Sequence, residues 1–143
     1  MSESKPVDAT EMKRHALLKA TSLLSIFLMT LHFASDTVRA RIGTAEAGGL
    51  TIVAVPILAI WLYGALVVDE TRSGHVMMLI GSLLAILMPA FHVMGPAGLF
   101  TGTLTRAGDP YLFVWTLHAI GLTGIFSLIL AAQGLWNLRR RPQ

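Results

Sequence analysis

The chain has 143 residues, of which 54% are hydrophobic and only 13% charged, more apolar surface than a soluble core of this size can hide, so the surplus must face lipid. With no cysteine, disulfides, thiolate metal sites and thiol nucleophiles are excluded, and any metal must be held by His, Met or oxygen ligands. The net charge of +3 does not mark a nucleic-acid partner, because the basic residues flank apolar runs, where they act as topological anchors.

Residues 1–15 read as a polar, basic leader. Lys13, Arg14 and Lys19 beside an apolar run have the flavour of a signal peptide, but the run Ala16–Ala34 is longer than a signal core and three further apolar runs follow. It is therefore the first span, within a longer helix expected from near Asp8, which has capping-box spacing to Glu11, to Gly43. The second span is expected at Gly49–Val68, with a kink at Pro56, Thr51 near one end and Trp61 and Tyr63 deeper in. The third is expected at Gly74–Met94 and the fourth at Pro110–Trp136, where Asp109 and Pro110 form an N-cap followed by a first-turn proline. Gly95–Asp109 is the one long connection and a candidate lid over the bundle. Residues 139–143 form a basic tail.

The expected fold is thus all-α: an integral membrane four-helix transmembrane bundle with N- and C-termini on the same side. Lys5, Lys13, Arg14, Lys19, Arg72, Arg139, Arg140 and Arg141 fall on the side of the termini, against Arg39, Arg41 and Arg106 on the other. The excess of positive charge places the termini in the cytoplasm of a cell whose plasma membrane, the inner membrane in a bacterium, holds the bundle. Trp136 and Tyr111 suit aromatic anchors at the inner and outer interfaces.

Histidine is the most informative side chain. His15 lies in the leader and His75 at the start of the third span, and neither position demands a special role. His32, His92 and His118 are embedded in apolar sequence, where imidazole normally faces protein or a cavity. Measured from the basic anchors Arg14, Arg72 and Arg139, they stand 18, 20 and 21 residues away, roughly 27 to 32 Å along a helix. All three are therefore expected at one depth in the outer leaflet.

Facing follows from spacing. Ser22, Ser25, Met29, His32 and Asp36 recur every three or four residues and form one stripe on the first helix. His75, Met78, Ser82, Ala85, Pro89 and His92 repeat the pattern on the third, with Gly81 beside it for close packing. On the fourth, the shared face is read as Val114, His118, Gly121 and Ile125, with Gly124 adding room for a neighbouring backbone or a flat ligand.

Three imidazoles with Asp36 one turn beyond His32 have the ligand types of a transition-metal site, and Met29, Met88 or Met94 would add a soft ligand for Cu(I). A variant uses two of the histidines as axial ligands of a b-type haem, with Arg39, Arg41 or Arg106 reaching the propionates. The expected function is a membrane metal- or haem-binding protein with a redox or electron-transfer role. Two alternatives stand beside it: a non-enzymatic subunit of a larger membrane complex or homo-oligomer, its histidines acting as polar glue, and a pocket for a quinone or another lipid-soluble molecule. No stretch carries a family-specific or phosphate-binding motif.

Overall fold

In the computed structural model, the described residues are 9–39, 45–94 and 110–140. They form four α-helices: α1 Ala9–Arg39, α2 Ala45–Leu66, α3 Arg72–Met94 and α4 Pro110–Arg140. Among the described residues there is no strand. The expected termini of α1 near Asp8 and Gly43, the 95–109 connection with Arg106, and residues 1–8 and 141–143 lie outside the described set. The helices begin and end within a few residues of the expected limits, with α4 running past Trp136 into the arginines.

Three helical segments are long and apolar enough to cross a membrane: Ala9–Ser35, Arg72–Ala90 and Phe113–Arg140. In α2 the apolar stretch Ile52–Leu66 is shorter, although the whole helix of 22 residues is about 33 Å long. Large apolar side chains such as Leu24, Phe27, Ile60, Leu83, Leu122 and Phe126 lie exposed around the bundle. A soluble domain rarely leaves so much apolar surface in water, whereas hydrocarbon accepts it without cost.

The helices pack in a ring in chain order, α1 against α2 and α4, α3 against α2 and α4, with α1 and α3 meeting more lightly across the diagonal. Neighbours run antiparallel. Lys19 near the start of α1 bonds Asp69 just after α2, and Gly134 near the end of α4 packs on His75 at the start of α3. His32, late in α1, meets His92, late in α3, and Phe113, early in α4.

The interior is narrow because small residues line it. The ring of Trp61, 1% exposed, lies on Gly81, where a Cβ would fall 2.2 Å from the indole. A Cβ at Gly124 would meet Ala85 Cβ at 3.0 Å, so α3 and α4 approach closely along the small-residue face. Ser22, Ser25, Ser82 and Ser127 are fully buried. Ser25 and Ser82 donate to the carbonyls of Thr21 and Met78 one turn back, and the Ser22 and Ser127 hydroxyls bond each other at 2.7 Å between α1 and α4. Each hydroxyl is thus satisfied without water, as a membrane interior requires.

The α2–α3 turn is built locally. Thr71 Oγ1 accepts the Gly74 N–H at 3.1 Å and so caps α3, while donating to Val68 O at 2.7 Å. Gly74 is required there, since a Cβ would fall 1.9 Å from the Val68 carbonyl oxygen.

Candidate functional site

The stripe expected on α1 is the buried one: Ser22, Ser25, Met29 and His32 all lie inside, His32 with 2% exposure. On α3, His75, Met78, Ser82 and Ala85 are buried, and His92 is half-buried at the far end of the same face. These two faces bring His32 and His92 together. Their ring centroids are 4.8 Å apart, edge to face, and Phe113 lies across both at 5.5 and 5.6 Å. The His92 Nδ1–H donates to the Met88 carbonyl one turn back at 3.0 Å. A carbonyl only accepts, so this bond fixes the proton on Nδ1 and leaves Nε2 as the nitrogen with a lone pair.

His118 departs from the expected convergence. The α3–α4 register set by Pro89 beside Gly121 brings it level with His92, so the common depth is present, but the side chain is exposed on the outside of the bundle. The buried face of α4 is Phe113, Leu117, Ile120, Gly124, Ser127 and Ala131, one residue out of step with the expected Val114, His118, Gly121 and Ile125. One residue is about 100° of helix rotation, enough to turn an inward position outward. His118 tolerates that position because its Nδ1–H donates to Val114 O at 2.8 Å, satisfying one ring nitrogen within its own helix.

Asp36 lies within α1, one turn beyond His32, and its side chain is outside the described set. Among the described residues no group of three His, Cys, Asp or Glu side chains comes together with metal-ligand spacing. Residues that the spacing rules did not single out complete the site: Phe113 closes it, and the only sequence signal for that was an aromatic residue opening an apolar helix.

A second polar cluster sits at the opposite end. Lys19 Nζ donates to Asp69 Oδ2 at 2.9 Å, and His15 Nε2 stands 3.6 Å from the same oxygen, an electrostatic contact beyond hydrogen-bond length. The His15 and His75 rings are 6.5 Å apart. His75 donates from Nδ1 to Thr71 O at 2.9 Å and lays its other edge against Gly134, where a Cβ would fall 2.2 Å from the ring. Burial pushes the Asp69 carboxyl up, but the Lys19 hydrogen bond and charge, with the nearby His15, outweigh it and hold Asp69 below its ordinary value.

No protein-family model matches the chain, and neither does a curated protein or a solved structure. The site must therefore be interpreted from its own geometry.

Proposed function

We propose that this chain is a multi-pass membrane protein that holds a transition-metal ion between His32 and His92, near the end of the bundle opposite the basic residues. The observation that carries the reading is the 4.8 Å separation of two largely enclosed imidazoles. With metal–nitrogen bonds of about 2.0 Å, two imidazoles sharing one ion at a tetrahedral angle have centroids about 5 Å apart, whereas two on opposite faces of a haem iron stand about 6 Å apart. The spacing supports one shared ion over axial haem ligation. The bond from His92 Nδ1 to the Met88 carbonyl holds the ring in place and leaves Nε2 as the nitrogen that would meet an ion. By sequence, Asp36 follows His32 by one helical turn, and a carboxylate oxygen beside imidazole nitrogens would suit a transition-metal ion. An ion with two accessible oxidation states would give the site an electron-transfer role. The excess of Lys and Arg at the other end supports a cytoplasmic placement of that end.

One observation favours a non-enzymatic subunit instead: His118, among exposed apolar residues, suits contact with another protein in the membrane. Metal analysis and absorption spectra of protein purified from membranes separate the two readings. The metal reading expects near-stoichiometric metal in the wild type and in His118→Ala, with loss in His32→Ala and His92→Ala. Equal metal in all four proteins, or a metal-free wild type, overturns it in favour of the subunit. A Soret band would replace the single ion by haem.

A further inference from the structure

The second polar end carries more positive charge than its own acids can balance. Among the described residues, Asp69 is taken up by Lys19, which leaves Lys13, Arg14, Arg72, Arg139 and Arg140 against Glu11 and Glu70, an excess of three positive charges. The packing gathers these cations around the end of α4. Counting eight residues back along α1 and eight forward along α4 from the Ser22–Ser127 hydrogen bond brings Arg14 level with Leu135, and hence Lys13 level with Trp136. On the other flank, the contact of Gly134 with His75 brings Arg72 level with Asn137. Arg139 and Arg140 lie one turn further on. Four of these five side chains are exposed and Arg14 is half-buried.

An aromatic side chain completes the arrangement. Trp136 is 56% exposed, and the Arg140 guanidinium lies over its ring at 4.8 Å. An exposed indole at the end of an apolar helix sits at headgroup level, with its flat body toward acyl chains. The stacked guanidinium is then held at the level of phosphates and keeps its donor edges free to bind them. About two turns back along the helix, α4 presents exposed Ile129 and Phe126 to the acyl region, so apolar surface adjoins the cations.

We propose that the end of α4, with Lys13 and Arg14 on one flank and Arg72 on the other, is a binding site for the headgroup of an anionic phospholipid in the leaflet at this end. The proposal rests on the membrane reading of the chain and is independent of the histidine pair. Several cations at one level, with adjoining apolar surface for the acyl chains, favour a lipid over free phosphate, which would use the cations alone.

The test uses the full chain in detergent micelles, where membrane sidedness plays no part, with added phosphatidylglycerol, phosphatidylcholine or inorganic phosphate. Phosphatidylglycerol is expected to raise the melting temperature and to be retained through purification, while phosphatidylcholine at the same concentration is not. In the K13Q/R14Q/R139Q/R140Q variant its apparent affinity is expected to fall at least about tenfold, and 0.5 M salt, roughly, should weaken wild-type binding in the same direction. Unchanged helix content by circular dichroism and an unchanged elution volume in size-exclusion chromatography separate loss of the lipid site from loss of the fold. Should the variant fold poorly, R72Q with R140Q alone is expected to give an intermediate loss. Equal binding of both lipids, unchanged affinity in the folded variants, or an equal stabilisation by inorganic phosphate overturns the proposal.

Discussion

At one end of the bundle three rings, His32, His92 and Phe113, meet within 4.8 to 5.6 Å, whereas at the other His15 stands beside the Lys19–Asp69 ion pair, with the His75 ring 6.5 Å from its own. The same residue type serves two environments. Where imidazole lies against imidazole and phenyl, it contributes ring packing and a nitrogen lone pair; where it stands near a carboxylate, as His15 does beside Asp69, it joins an ionic cluster. On the metal reading, changes at the ring end should register in metal content, and changes at Asp69 in stability against pH.

The largest expected contrast comes from adding one methyl group at each end. Gly134→Ala would place a Cβ 2.2 Å from His75, whose ring is held from behind by Thr71, so the helices or the imidazole must shift; a loss of about 2 kcal/mol is expected. Gly121→Ala meets only Pro89 Cγ at 3.2 Å, which gives by a few tenths of an ångström, and a loss below about 1 kcal/mol is expected. Thermal unfolding of both variants in one detergent decides the matter. Equal losses would mean that the two ends are equally tightly packed.

Next in size is the ion pair. Asp69→Ala removes the partner of Lys19 and the counter-charge of His15, and with Lys19 partly exposed the loss should be about 1 kcal/mol at neutral pH. Because the folded state lowers the Asp69 pKa, the stabilisation is fully present above the unfolded value of about 3.9 and disappears as pH falls through the lower folded value. Wild type should therefore lose this increment on acidification below about pH 4, and Asp69→Ala should lack that component. A parallel pH profile in the two proteins would remove the carboxylate from the account.

A smaller effect probes the middle, which both ends share. Ser22→Ala leaves Ser127 without its partner across α1 and α4, and interhelical hydrogen bonds of this kind are worth about 0.6 kcal/mol in a membrane setting. The double variant with Ser127→Ala should cost less than the sum of the two single changes, because the second substitution removes a group already unpaired. Additive losses would show that the 2.7 Å bond contributes nothing of its own.

Much of this architecture was legible because bilayer length, helix period and Gly or Pro boundaries act locally. Ser22, Ser25, Met29 and His32 all lie in the α1 interior, which Leu18 and Ile26 complete, and His75, Met78, Ser82 and Ala85 are buried on α3. On α4 the period was readable but its phase was not: Gly121 and Gly124 both offered a close-packing position, and the rule that intramembrane imidazole faces inward pulled the choice toward His118. The side actually buried carries Gly124 and Ser127. The ionic end was illegible for a different reason. Asp69 lies 50 residues from Lys19, in a turn whose placement depends on the whole bundle, so no spacing along the chain joins them.

His118 gives the smallest expected effect and the sharpest test of that phase. Because it is exposed and its Nδ1 bonds within α4, His118→Leu should change stability by no more than about 0.5 kcal/mol and leave metal content at the wild-type level. In a lipid environment an apolar side chain there should even be mildly favourable, since the imidazole's second nitrogen no longer has to be kept from hydrocarbon. If His118→Leu instead releases metal as fully as His32→Ala, the α4 face would have to rotate by one residue to bring the third imidazole inside. Ser127 would then turn away from Ser22, so the same rotation predicts that the Ser22→Ala penalty vanishes. The two measurements must move together, so the Ser22→Ala penalty checks the phase of α4 independently of the metal.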